Sequence, residues 1–234
     1  MNSAFGLPFL PSTPSLPQRS MKLGGRALLL LLFLSVLLPT RAQQSAERIL
    51  LIGDSMLDGL CRRLQDYADE NGHYLRTFIW YGATTRHWAT TKDLANQIAK
   101  ERPTLIVFSC GSNDLGYYDL TRREGYVKDI IKTMGKVPYV WVGPTTLRGV
   151  KDNGIGGIIR RNTGENHFFD TTKVNLVRGK DGIHPTFASA AQWMDKIVNW
   201  MKDNGYQIKL NRPTKKSTLR NYETHNPKYK GIPR

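Results

Sequence analysis

Five residues spread along the chain have the types that acyl-transfer chemistry uses. Ser55 follows Gly53-Asp54, Gly82 ends an apolar run, Asn113 stands inside Gly111-Ser112-Asn113-Asp114, and Asp181 precedes His184 by three positions. A serine hydroxyl becomes a good nucleophile only when a base takes its proton. An imidazole does that near neutral pH, and a carboxylate fixes the imidazole's tautomer and orientation. The developing oxyanion then needs donors, which an asparagine amide and backbone N–H groups at glycine turns provide. Taken singly, each residue has a plainer use: Ser55 and Asn113 as helix caps, Asp181 as a turn residue before Gly182. Their weight depends on where the chain delivers them.

Apolar runs closed by glycine predict strands that start near residues 49, 74, 104, 137 and 166. Helical spacing of apolar residues predicts helices over 57–71, 91–100, 121–134, 155–161 and 187–204, with Thr121 and Glu124 as a capping box for the third. One helix between successive strands makes βαβ units, hence a parallel sheet with helices on both faces. In such sheets the active crevice lies at the carboxyl ends of the strands. Ser55, Gly82 and Asn113 each fall just after a predicted strand, and Asp181 with His184 fall in the loop before the last helix.

Gly53-Asp54-Ser55, Gly82, Gly111-Ser112-Asn113-Asp114 and Asp181-x-x-His184 resemble, in order, the four blocks of the SGNH (GDSL) hydrolase superfamily. The likeness covers most of residues 48–204. It implies a three-layer α/β/α sandwich with a flavodoxin-like parallel sheet of about five strands. It implies Ser55 as nucleophile, His184 as general base and then acid, and Asp181 as its orienter. The implied oxyanion hole is the N–H groups of Ser55 and Gly82 and the side-chain amide of Asn113. Met56 stands where many members have Leu. Trp80-Tyr81-Gly82, Gly143-Pro144 and the stretch from Asp181 to Thr186 look most like exported bacterial members of unassigned substrate.

Asp54 is expected to support the nucleophile turn and Asp114 to hold its loop. His87 reads as a surface residue near the pocket, and His73, His167 and His225 as structural or solvated. No histidine–carboxylate set has metal-ligand spacing, so neither a metal nor a cofactor is expected. Cys61 and Cys110 read as two buried thiols; neighbouring first and third strands, as the family implies, would allow a disulfide instead. Trp80, Tyr81, Trp88, Tyr117 and Tyr118 follow strand ends or site loops and read as a sugar-stacking wall or as core.

The 234 residues are 40% hydrophobic and 23% charged, an ordinary globular composition that excludes a disordered or fibrous chain. Residues 1–42 hold Arg19, Lys22, Arg26 and Arg41, no acid, and an apolar run from Ala27 to Leu38, which predicts an export signal cleaved after Ala42. Met21 offers a second start, which would make 1–20 an upstream extension. The formal charge of +15 divides unevenly: Gln43–Tyr206 carries 22 basic against 18 acidic residues, and Gln207–Arg234 eight basic residues against Glu223. The expected layout is therefore a hydrolase domain over 43–206 and a basic, solvated tail over 207–234. That tail suits peripheral contact with an anionic envelope better than nucleic-acid binding. Neither a nucleic acid nor an obligate protein partner is expected. The expected substrate is a short acyl ester, acetyl foremost, on a glycan or cell-wall polymer. A lysophospholipase or thioesterase, an O-acyltransferase, and a non-catalytic envelope-binding module are the other readings of the same residues.

Overall fold

The computed structural model describes residues 46–147, 150 and 152–225. The expected export signal and its cleavage site lie outside these residues. Strands β1 (Arg48–Gly53), β2 (Tyr74–Trp80), β3 (Leu105–Ser109), β4 (Tyr139–Val142), β5 (Phe168–Phe169) and β6 (Tyr222–His225) form one sheet in the order β5-β4-β3-β1-β2-β6. All five pairings are parallel. Helices α1 (Leu57–Asn71), α2 (Thr85–Thr90), α3 (Asp93–Glu101), α4 (Leu120–Met134), α5 (Ile155–Thr163) and α6 (Phe187–Asp203) complete the α/β/α sandwich.

The two faces of β1 explain the layers. Side chains alternate across a strand, so Ile49 and Leu51 join a cluster with Leu57, Leu60 and Leu64 of α1 and Trp193, Met194, Ile197, Val198 and Met201 of α6. Leu50 and Ile52 point the other way, into a cluster with Trp88, Leu94, Val127, Ile130 and Ile159 from the helices of the opposite layer. Buried apolar side chains of this size contribute roughly 1.5–3 kcal/mol each, so both layers are held chiefly by the sheet they cover.

The sheet has six strands, one more than expected, and the extra strand comes from the basic tail. Residues 207–225 do not trail into solvent: Leu210 is 2% exposed, and β6 pairs with β2 from Thr77↔Tyr222 to Trp80↔His225. The tail's charge finds acids on α1 and α6, with Arg220 bonding Asp69 and Arg212 approaching Asp195 at 3.6 Å. A weak apolar pattern hid this segment, yet Leu210 is buried in the core and Ile208, Leu219 and Tyr222 pack against it.

Smaller differences have local causes. The turn after Gly82 forms α2, whose N-terminus is closed by a reciprocal Thr84–His87 capping box. Thr121 does not cap α4, which begins one residue earlier; Glu124 instead binds Arg161 at 2.7 Å and Lys128 at 3.3 Å. Cys61 and Cys110 are both free and buried. They belong to the clusters on opposite faces of the sheet, which excludes a bond between them. Burial lifts the Cys61 thiol to about 12 and Cys110 well above its ordinary value, so both are poor nucleophiles.

Candidate active site

The chain passes outward from β1 to β2, then returns to place β3 on the other side of β1. That reversal is the switch point at which parallel sheets open a crevice. Gly53 pairs with Ile79 on one side and Ser109 on the other, so the loops carrying Ser55, Gly82 and Asn113 leave the sheet along one edge.

At the end of β1 the turn is built tightly. Asp54 N–H donates to the Ser109 carbonyl at 2.9 Å, and a Cβ on Gly53 would lie 2.0 Å from that same oxygen. No other residue fits there without moving β3. Asp54 Oδ1 accepts the Met56 N–H at 3.0 Å, an Asx-type turn that presents Ser55 just ahead of α1. Asp54 itself is fully buried and its Oδ2 has no partner among the described residues. Burial, with a further contribution from Asp114, pushes its carboxyl up to about 7 despite the Met56 amide.

The third strand's loop is anchored by Asp114, whose carboxylate accepts from Thr85 N and Oγ1 at 2.9 and 2.8 Å and from Arg123 Nη1 at 2.9 Å. Burial raises Asp114, and the Thr85 and Arg123 bonds oppose that rise. Asn113 donates from Nδ2 to the Ala83 carbonyl at 2.9 Å. A side-chain amide has two N–H groups, so this bond ties the Asn113 loop to the Gly82 loop and leaves a second donor. Gly82 sits at φ +74, and a Cβ placed on it would meet no described atom within 4 Å, so the backbone there faces open space.

Asp181 and His184 lie in a short hairpin. Gly179 N–H donates to His184 O at 2.8 Å and Thr186 N–H to Val177 O at 2.9 Å, while Gly182 takes the left-handed φ +68 that the turn requires. His184 Nδ1 meets Asp181 Oδ2 at 2.7 Å, and Nε2 meets Ser55 Oγ at 2.9 Å. An ionised carboxylate only accepts, so Nδ1 carries the proton and Nε2 is left to accept from the serine hydroxyl. Against a desolvation that would raise it, bonds from the His184 ring and from the Ile183 and His184 amides hold Asp181 below its ordinary value. The imidazole therefore faces a charge.

Three residues outside the expected set hold these groups together. Arg178 donates to Ile183 O at 2.6 Å and to Thr146 O at 2.7 Å, pinning the His184 hairpin to the loop after β4. Gly59, in the first turn of α1, lets that helix touch α6: a Cβ there would come within 2.5 Å of Ala190 Cβ. This close crossing brings the start of the Ser55 helix to the start of the helix that follows His184. Thr186 closes α6 by accepting Ser189 N–H at 3.2 Å. Nothing in the types or spacing of Arg178 or Gly59 marks them, since each acts on a segment distant in sequence.

The remaining candidates divide between core and surface. Trp88 is 1% exposed and packs edge-on against Phe78, Trp80 and Phe108, so it belongs to the core and not to a stacking wall. Trp80 is half-buried against His87 and His225. Tyr117 and Tyr118 are exposed, with Arg123 over the Tyr117 ring. His87 is exposed, and its Nδ1 accepts the Thr84 N–H. His73 bridges the Glu47 amide and the Lys209 carbonyl, and His167 stacks on Tyr139.

A hollow of about 210 Å³ opens beside Ser55, lined by Ser55, Asp58, Gly59, Lys180, His184 and Phe187 among others. A second of about 210 Å³ lies beyond the β4 loop, with Thr145, Arg160 and Phe168 in its wall.

No protein-family model matches the chain, and no curated relative matches it by sequence. Among solved structures, one described as a lipolytic protein of the G-D-S-L family, from Desulfitobacterium hafniense, aligns with a TM-score of 0.49 at 11% identity, over 65% of this chain and 98% of its own. A second, described as a GDSL-like lipase, from Bacteroides ovatus, aligns with a TM-score of 0.51 at 14% identity, over 72% of this chain and 56% of its own. The chain thus spans little more than half the length of that second protein. At an identity this low the second alignment carries the fold alone, and the fold shared is the three-layer sandwich described above.

Proposed function

We propose that this chain is a serine esterase of the SGNH (GDSL) type that removes short acyl groups, acetyl foremost, from a glycan or cell-wall polymer. The observation that carries the reading is the unbroken chain from Asp181 through His184 to Ser55, at 2.7 and 2.9 Å, on the carboxyl edge of a parallel sheet. Ser55 Oγ attacks the ester carbonyl as His184 Nε2 takes its proton, and the alcohol leaves with that proton. Water then attacks the acyl-serine with His184 as base again, and the acyl–Oγ bond breaks to release the acid as Ser55 takes that proton back. The donors for the oxyanion in both steps are the Ser55 and Gly82 amides and the second N–H of Asn113.

Short acyl preference is supported by volume. The hollow at Ser55, about 210 Å³, is smaller than the roughly 300–1,000 Å³ of pockets that enclose drug-sized ligands and has room for a short acyl group. Export through residues 1–42, and contact of the remaining basic side chains of the tail with an anionic envelope, belong to the same reading.

Hydrolysis of 4-nitrophenyl esters from acetate to palmitate, with Ser55→Ala as control, tests it. Turnover confined to acetate and butyrate and lost in the variant is expected. A preference for long chains transfers the assignment to lipid or thioester hydrolysis. Absence of any Ser55-dependent turnover sinks the esterase reading.

A further inference from the structure

Asp58 is an unusual residue to find where it is. It lies three positions after Ser55 in the first turn of α1, where its N–H donates to Ser55 O at 3.1 Å. Asp58 and Ser55 both line the same hollow. An acid in a first turn suits the helix dipole, but that effect needs neither burial nor a fixed partner. Asp58 has both: it is 8% exposed, and its Oδ1 accepts the Tyr222 hydroxyl at 3.1 Å. Tyr222 comes from β6, 164 residues away in sequence, and its oxygen lies 3.1 Å from the Tyr81 hydroxyl. Burial, then the Tyr81 bond and the Asp58 charge, keep the Tyr222 phenol protonated and thus a donor. The chain of hydroxyls runs from the residue before Gly82 to the wall of the hollow and ends on a carboxylate.

A carboxylate has about four acceptor positions, and one phenol fills one of them. The hollow has one cation in its lining, Lys180, and a second, Arg62, stacks at 4.8 Å on the Phe187 ring of its wall. Those charges disfavour a substrate ammonium at Asp58 and leave a neutral hydroxyl as the group that fits. On the esterase reading above, we propose that Asp58, oriented by Tyr222, accepts a hydrogen bond from a free hydroxyl on the alcohol half of the ester. The substrate is then an ester of a polyhydroxylated alcohol that keeps a free hydroxyl near the acylated oxygen, and the C-terminal segment is part of the specificity site.

The test compares two substrates on the full-length protein, a mono-O-acetylated methyl glucoside and 4-nitrophenyl acetate, the second of which has no hydroxyl to offer. The readout is the ratio of kcat/KM for the sugar ester to that for the nitrophenyl ester. Asp58→Ala is expected to lower this ratio about tenfold or more, mainly through KM, because a bond to a charged acceptor is lost. Tyr222→Phe, which keeps the carboxylate and the ring, is expected to lower it severalfold and stands as the test where Asp58→Ala does not fold. Equal losses on both substrates, leaving the ratio unchanged, overturn the inference in favour of a structural role. Wild-type turnover of the nitrophenyl ester without turnover of the sugar ester also overturns it and spares the esterase reading. Loss of Ser55-dependent turnover on both substrates overturns that reading and this inference together.

Discussion

Asp181 holds His184 twice, through the ring and through the backbone. Its Oδ2 meets the imidazole Nδ1 at 2.7 Å while its Oδ1 accepts the His184 N–H at 3.0 Å. One side chain therefore sets the tautomer of the imidazole and the shape of the turn that carries it.

Asp181→Asn separates these two tasks. The amide oxygen can still accept the Ile183 and His184 N–H groups, but its NH₂ cannot accept from Nδ1, so the proton moves to Nε2 and the base is blocked. The expected result is a fall in kcat on 4-nitrophenyl acetate of about 10³–10⁴, with a melting temperature near that of the wild type. Asp181→Ala removes the turn as well and should lower both. A loss of less than tenfold in Asp181→Asn would argue against His184 as the base.

Gly59→Ala should harm activity more than stability. Alanine favours a helix interior by about 1 kcal/mol over glycine, which offsets part of the roughly 1–3 kcal/mol of overpacking against Ala190. The helices must still part, and misplacement of the order of 1 Å at a reacting pair costs about 10²-fold. We expect kcat to fall at least tenfold. The double variant Gly59→Ala with Ala190→Gly should recover most of it, as steady-state kinetics on a nitrophenyl ester would show.

Asp54 makes stability depend on pH in an uncommon direction. Its folded value of about 7 stands above the ordinary 3.8, so between these limits the folded chain binds a proton that the unfolded chain has lost. Stability from this group is full below about pH 4 and falls as pH rises through 7, by up to about 4 kcal/mol. Asp54→Asn keeps an acceptor for the Met56 amide and removes the titration. Denaturant unfolding at pH 5 and pH 8 should therefore show a smaller stability difference in the variant than in the wild type. Identical differences in the two proteins would refute the assignment.

Deletion from Gln207 exposes the β2 edge and removes Leu210 from the core. Burial of one leucine is worth about 2–3 kcal/mol, which in a domain of this size corresponds to a melting temperature lower by roughly 5–10 °C. The solvated tail read from composition would leave melting unchanged. Calorimetry on the full and shortened chains distinguishes the two.

Strand–helix alternation and the chemistry at the strand ends could be read from residue order alone, because both are local. A buried parallel strand must be a short apolar run, and a nucleophile, a base and an oxyanion donor can each be only a few residue types. Ser55, Gly82, Asn113, Asp181 and His184 were legible as candidates for that reason, and the fold brings Asp181, His184 and Ser55 within hydrogen-bond reach. Whatever depends on pairs remote along the chain needed the folded molecule. Arg178 serves the carbonyl of Thr146, Gly59 makes room for Ala190, and Tyr222 reaches Asp58. The tail became a strand because the β2 edge offered unpaired backbone and α1 offered acids, neither of which a hydrophobic pattern records. The disulfide was excluded by the same kind of fact: neighbouring strands do not bring together two cysteines whose side chains lie on opposite faces of the sheet.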